Sequence, residues 1–206
     1  MTEEILIPKK GWIINQQKVN VNVIDNQIWF KLSHTTSKLF GRNEVPDIIK
    51  LLSINPNIFW RWLVFASRLM PYGQLTHRER ELIILRVAWL SRSRYEWGQH
   101  IEIGQKKAKL TDQDIIKITK GAEKFQGTKE QLLLKSCDEF IEEKVISSNT
   151  WSSLTKYYNN KLIIEINMLI GHYQMLAGIL NSAGLQLEPT IEAYYQKFNE
   201  RIKELI

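Results

Sequence analysis

One short stretch of the chain carries two carboxylates and an imidazole at spacings suited to moving protons. Glu96 and His100 are four residues apart, so a helix would place both side chains on one face. Glu81 lies on the preceding predicted helix and approaches His100 if the two helices pack antiparallel. Histidine titrates near neutral pH, and burial can tune the pKa of a carboxylate. The types and spacing of these three residues therefore predict a site for general acid–base catalysis.

A structural explanation of the same residues stays open. Ser93 and Glu96 match the capping box, in which an acid three positions after a hydroxyl residue turns back to the cap amide. His100 would then be a hydrogen-bonded core histidine, and His172 in a later apolar stretch is interpreted in the same way. Spacing alone does not separate catalysis from helix capping here.

The elements that position these residues are predicted to be helices. A helix from about His77 to Leu90, a turn at 91–93 and a second helix capped by Ser93 form an antiparallel hairpin. A long helix is expected over 161–182. At least eight helices and very little strand are predicted in all, from caps, stops and apolar periodicity near 3.6 residues. Their boundaries are marked by Pro46, Asn55, Pro56, Thr76, Ser93, Thr111, Thr128, Gly184 and Pro189.

The first 44 residues have a different pattern. Val19, Val21 and Val23 alternate with asparagines, and an apolar run at 28–30 follows a turn at 25–26. Such alternation is typical of a strand. The sequence predicts an N-terminal arm or short hairpin at 1–44, followed by a helical domain at 45–206.

The charge pattern bears on partners. The net charge is +6, but lysine and arginine are mixed with acids along the chain. This mixing argues against a stripe of basic side chains that would bind nucleic acid. The densest arginines are either solvated on helix faces or hold an anionic small molecule, because a guanidinium fork matches a carboxylate. These are Arg78, Arg80, Arg86, Arg92 and Arg94.

The single cysteine and the most apolar segment indicate a cytoplasmic protein. Cys137 has no partner for an intrachain disulfide, as is usual in a reducing compartment, and its apolar surroundings predict an inert core thiol. The stretch 162–180 is interrupted by Glu165, Asn167 and His172. That interruption favours a buried or interface helix over a membrane span.

Parts of the predicted hairpin resemble a known family. Residues 80–88 and 95–100, followed by 109–115, are similar to the signature of carboxymuconolactone decarboxylase-like proteins. A less specific resemblance extends over 45–70 and, to longer members of the family, over 138–181. The resemblance implies an all-α, alkylhydroperoxidase D-like bundle that forms homo-oligomers and uses no metal or organic cofactor.

The chain departs from the peroxidase branch of that superfamily. The branch has a Glu, then Cys-x-x-Cys, then three residues and a His, which fall here on Glu81, Ser93, Glu96 and His100. Peroxide reduction needs a thiolate, and neither Ser93 nor Glu96 supplies one. A thiol peroxidase is therefore not expected. The lactone decarboxylase branch, which lacks the cysteines and keeps Glu and His, resembles the chain better.

The residues and the resemblance together predict a cofactor-free enzyme acting on a carboxylated lactone or related ring compound, a small anionic substrate. Glu81, Glu96 and His100 are the predicted catalytic residues. Ser93 and Arg86 are the predicted substrate-binding residues, although Arg86 is equally suited to pair with Glu81. The alternative is a non-catalytic oligomeric binding or scaffold protein, because a fold does not determine function. An enzyme should show the three catalytic side chains converging on a cavity, and a scaffold should show them paired and closed.

Overall fold

The computed structural model describes residues 5–21 and 45–206, and within them it contains nine α-helices and no strand. The helices are connected by short turns and by one 3-10 turn between α5 and α6. The prediction of an all-α protein with at least eight helices is confirmed for the described residues. The helices are α1 (Asp47–Ser53), α2 (Pro56–Leu69), α3 (His77–Leu90), α4 (Arg94–Ala108), α5 (Asp112–Lys120), α6 (Lys129–Glu143), α7 (Ser148–Leu154), α8 (Asn160–Ala183) and α9 (Pro189–Ile202).

Side-chain caps explain most of the helix boundaries. Thr76 accepts a hydrogen bond from the amide of Glu79 at the start of α3, and the Glu79 carboxylate bonds back to the Thr76 amide. Thr111 forms the same reciprocal pair at the start of α5. α8 ends at Gly184, which has a φ of +70° and therefore takes the left-handed conformation that glycine tolerates best.

The central element of the fold is α3. Its residues Leu82 to Leu85 and Val87 have no exposed surface, because α4, α6, α8 and α5 all pack against it. A helix that is buried on every side is a core helix. The polar residues of α3 are consequently held inside the bundle, where each needs a partner.

Part of the predicted N-terminal arm packs on the helices. The amide of Ile13 donates to the carbonyl of Arg92 at 3.0 Å, and the amide of Lys18 donates to the carbonyl of Ala183 at 2.9 Å. Residues 5–21 are not a strand, and Val21 is buried. The remainder of the predicted hairpin, from Val23 to residue 30, lies outside the described residues, and the division at 44/45 stays a prediction.

The helix α8 is long and apolar enough to cross a membrane by length and composition alone, and no other helix of the described residues meets that test. Ile163, Ile166 and Ile170 have no exposed surface and belong to a helix that packs against α3. That placement is the one expected of a core helix. The opposite face of α8 exposes Ile164, Met168, Met175 and Ile179.

Candidate active site

The α3–α4 hairpin brings together the three residues predicted to be catalytic. The turn at 91–93 reverses the chain with Arg92 at a φ of 53°, so α4 runs back along α3. The Nδ1 atom of His100 lies 2.8 Å from Oε2 of Glu81. The Nε2 atom of His100 lies 3.3 Å from Oε2 of Glu96. The imidazole is therefore held between two carboxylates, one from each helix.

The two carboxylates decide the charge of this imidazole. Burial alone would lower the pKa of His100, but the charges and hydrogen bonds of Glu81 and Glu96 more than offset it and raise the pKa to about 9. At neutral pH His100 is therefore an imidazolium, and both of its ring nitrogens are donors. The shorter contact, to Glu81, holds Nδ1 most firmly, which leaves Nε2 as the nitrogen better placed to exchange its proton.

The predicted capping box at Ser93 does not form. Ser93 precedes α4 but makes no side-chain cap hydrogen bond, and Glu96 points to His100 instead of returning to the Ser93 amide. The physical reason is that an imidazolium attracts a carboxylate more strongly than a neutral amide does. The Ser93 hydroxyl oxygen and the second oxygen of Glu96, Oε1, are buried without a hydrogen-bond partner among the described residues. Such unsatisfied buried groups are rare in folded proteins.

The structure places Arg86 outside this cluster. Its Nε lies 2.6 Å from Oδ1 of Asp138, and its Nη1 donates to the carbonyl of Ile118 at 2.7 Å. Arg86 therefore ties α3 to α5 and α6, and the predicted pair with Glu81 does not form. Five residues along a helix turn a side chain away from the starting face, so Arg86 and Glu81 point to different neighbours. Its occupied guanidinium gives no support to a substrate-binding role.

A tyrosine from α8 covers the imidazole. The ring of Tyr173 meets that of His100 edge to face with centroids 5.2 Å apart, and its hydroxyl donates to Sδ of Met70 at 3.5 Å. Burial and the charges of Glu96 and Glu81 raise the pKa of Tyr173 well above its ordinary value. Tyr173 is therefore a neutral wall of the site. Only its place in an apolar helix beside a histidine could have singled it out in the sequence.

The neighbouring histidine has a different environment. His172 stacks on Trp62 with centroids 6.0 Å apart and meets Phe65 edge to face. Burial lowers the pKa of His172 to about 4, so its ring is neutral at physiological pH. The interpretation of His172 as a packing residue fits these contacts. However, its Nδ1 atom is buried and has no hydrogen-bond partner within the described part of the chain.

The cluster is almost closed to solvent. Glu81, Glu96 and His100 expose 2%, 3% and 4% of their surface. A shallow cavity lies elsewhere, between residues 13–15 and the segment that joins α8 to α9. The three side chains thus converge, as one part of the expectation for an enzyme requires, but this cavity is not lined by them, and they are paired and enclosed as expected of a scaffold.

Comparisons with known proteins agree with this architecture. The sequence profile of the Carboxymuconolactone decarboxylase family matches residues 56–133, from the start of α2 into α6. An uncharacterized peroxidase-related protein from Silicibacter sp. TM1040 is 15% identical, with a TM-score of 0.66 over 91% of this chain and 97% of that one. An uncharacterized peroxidase-related protein from Ralstonia eutropha JMP134, described as an alkylhydroperoxidase AhpD core, is 15% identical, with a TM-score of 0.70 over 87% of this chain and 94% of that one. Residues 56–133 thus match the model of that family, and the likeness to the two solved structures shows a shared helical fold.

A third solved structure widens the chemistry found on this fold. The debrominase Bmp8, with a cysteine-to-alanine substitution and in complex with 2,3,4-tribromopyrrole, is 12% identical, with a TM-score of 0.65 over 90% of this chain and 96% of that one. Identities this low show a shared fold alone. No curated protein matches the chain.

The α3–α4 hairpin has no thiol. Its one cysteine, Cys137, is buried in α6, and burial raises the pKa of the Cys137 thiol far above its ordinary value. A thiol in that state is a poor nucleophile. Among the described residues, no group of three or more histidine, cysteine or acidic side chains is arranged to hold a metal ion.

Proposed function

We propose that the chain is a cofactor-free small-molecule enzyme in which Glu81, Glu96 and His100 transfer protons on a carboxylated lactone or related ring compound. The observation that carries the proposal is the buried Oε1 atom of Glu96, which has no hydrogen-bond donor in the described residues. A purely structural network is expected to satisfy such an atom, because leaving it unpaired costs about 1–3 kcal/mol or more. A substrate or an entering water would supply the missing donor.

The geometry suits the protonation step of a decarboxylation. Loss of CO2 breaks the bond between a ring carbon and its carboxylate and leaves the electron pair on the ring, where the lactone carbonyl can delocalise it. His100 donates the Nε2 proton to that carbon and becomes neutral. Glu81 holds the other ring nitrogen and stabilises the imidazolium before transfer. A proton from solvent, passed through Glu96, then restores His100.

We also propose that the active form is a homo-oligomer. The exposed face of α8 presents Ile164, Met168, Met175 and Ile179, which is a larger apolar stripe than a lone solvent-facing helix needs. The small anionic substrate and the cytoplasmic location remain predictions from the sequence.

The enclosure of the cluster favours a second candidate function. With 2–4% of each residue's surface exposed, Glu81, Glu96 and His100 have the closed arrangement of a structural pair network. A non-catalytic oligomeric binding or scaffold protein would need no more. The two candidates differ in whether any small molecule reaches His100.

A ligand screen followed by variant kinetics separates these candidates. A thermal-shift screen against carboxylated lactones and aromatic acids should find ligands that raise the melting temperature, because they bind the native state. On a turned-over lactone, measured as CO2 release, His100→Ala should lower kcat about 100-fold or more. Glu96→Gln should also lower kcat, and Glu102→Gln on the same helix should leave it unchanged. Full turnover by His100→Ala would refute the enzyme proposal.

A further inference from the structure

One arginine of α3 is a buried cation that has no carboxylate partner among the residues that the structure describes. Arg80 exposes 3% of its surface. Its Nη1 donates to the carbonyls of Pro71 at 3.2 Å and Leu75 at 3.4 Å, and its Nη2 lies 2.8 Å from Nδ1 of His77. Its Nε is buried and has no acceptor among the described residues. An unpaired buried charge is costly, so buried arginines are usually paired.

Four other arginines of the described helices each have a carboxylate partner. Arg78, Arg86, Arg94 and Arg201 each lie within 3.1 Å of a carboxylate oxygen. All four are more exposed than Arg80, so they need an anionic partner less than Arg80 does. Of the two arginines that are buried in the described part of the chain, Arg86 has a carboxylate partner there and Arg80 has none.

Arg80 lies close to the imidazole site through a shared backbone segment. Its Nη1 bonds to the carbonyl of Pro71, and the hydroxyl of Tyr173 bonds to the sulfur of the preceding residue, Met70. The ring of Tyr173 in turn contacts His100. A thioether sulfur is a weak acceptor, so the Tyr173 hydroxyl can turn to a better one. Arg80 and the proposed proton donor are therefore linked through the Met70–Pro71 backbone and Tyr173.

We propose that Arg80, assisted by the hydroxyl of Tyr173, binds the carboxylate of a small organic acid at the edge of the Glu81–His100 site. Nε has no acceptor, and Nη2 has two N–H groups but one partner. These nitrogens form one edge of the guanidinium, which matches the two oxygens of a carboxylate. The inference rests on the proposed function in one respect: it makes this acid the substrate.

Arg80 is a positioning residue in that reaction. An ion pair with the carboxylate that leaves as CO2 would stabilise the substrate more than the transition state, in which that charge moves onto the ring, and would slow the reaction. The carboxylate held by Arg80 is therefore one that the reaction does not break. Loss of Arg80 should raise KM more than it lowers kcat.

Benzoate and benzamide form a matched pair of probes for this site. They share a planar ring, which can pack against the ring of Tyr173, and they differ in charge. By titration calorimetry at pH 7 and low salt, the full chain should bind benzoate at least about 10-fold more tightly than benzamide. Arg80→Gln should weaken benzoate about 10- to 100-fold, the range for hydrogen bonds to charged groups, and leave benzamide unchanged. Arg61→Gln removes the same charge from an exposed site and should keep the preference.

Three results would overturn the inference: equal affinities in the unmodified chain, unchanged benzoate affinity in Arg80→Gln, or the same loss in Arg61→Gln. If Arg80→Gln does not fold, Arg80→Lys retains the cation without the fork and should bind benzoate several-fold more weakly; equal affinity would overturn the inference. A changed sedimentation coefficient in Arg80→Gln with unchanged benzoate binding would assign Arg80 to a contact between copies and also overturn it. Binding needs no turnover, so a lack of decarboxylation would refute the proposed function alone.

Discussion

Raising the pH should destabilise this fold through one residue. The pKa of His100 rises from its ordinary value of 6.5 to about 9, because contacts at 2.8 Å to Glu81 and 3.3 Å to Glu96 outweigh the cost of burial. The folded state therefore holds this proton more tightly than the unfolded chain. Each unit of pKa corresponds to about 1.4 kcal/mol, so the proton contributes roughly 3 kcal/mol to stability. That contribution is complete below pH 6.5 and is lost as the pH rises through about 9.

Urea unfolding at a series of pH values measures this effect. The free energy of unfolding of the unmodified chain should fall by about 3 kcal/mol between pH 6.5 and pH 9.5. His100→Gln should lose that slope, and at pH 7 it should be several kcal/mol less stable, because two buried carboxylates lose their cation. The double variant Glu81→Gln/His100→Gln should recover part of that loss. His77→Gln, which alters an exposed histidine, should keep the original pH dependence.

Two results would refute the reasoning. One is a His100→Gln variant whose unfolding free energy has the same pH slope as the unmodified chain. The other is an NMR titration in which the His100 ring changes charge at or below pH 6.5. Either would mean that Glu81 and Glu96 do not retain the proton, and His100 would then lose its proposed role as the proton donor at neutral pH.

Three further predictions concern other parts of the molecule. Peroxide consumption should be the same in the unmodified chain and in Cys137→Ser, since that buried thiol does not form a thiolate; activity that disappears with the cysteine would contradict this. Burial alone would raise the pKa of Glu79, but Lys129 and the Thr76 cap lower it to about 2. The Glu79 carboxylate therefore stabilises the fold above pH 4.5, and this contribution is lost as the pH falls through about 2. In Glu79→Gln, the free energy of unfolding should depend less on pH in that window. Sedimentation should show a dimer or larger species, and Met168→Glu on the exposed face of α8 should shift it toward 24.3 kDa; a monomer before substitution would remove this claim.

Local sequence rules predicted the helices well and failed where a tertiary partner competed. Thr76 and Thr111 form the reciprocal caps that their spacing predicts. Ser93 has the same spacing to Glu96, yet no cap forms. Glu96 turns instead to the imidazole of His100 on its own helix, and the charge of that imidazole depends on Glu81 across the hairpin. The spacing between Ser93 and Glu96 contains no information about Glu81, which lies on the neighbouring helix α3.

The arginines show the same limit. The sequence predicts Arg86 beside Glu81 or a substrate, but its partner is Asp138, which lies on α6 and 52 positions later in the sequence. Nothing in the spacing distinguishes Arg86 from Arg80, and only the packed structure shows that one guanidinium is satisfied and the other is not. Burial and pairing of a charge are tertiary properties, so the sequence could suggest an anion site without indicating which arginine forms it.

Ser93 and Glu96 stand where the peroxidase branch that this hairpin resembles has its two cysteines, so the hairpin has no thiol pair. A thiol pair stores and passes electrons, whereas a carboxylate beside His100 fixes a proton on the imidazole. The same helical fold accommodates a debrominase, so the backbone does not select the reaction. The selection lies in the side chains at the start of α4. With Glu96 in place, the candidate site holds an imidazolium at neutral pH and no thiol among its described residues, which fits the proposed protonation of a carbanion and does not fit the reduction of a peroxide.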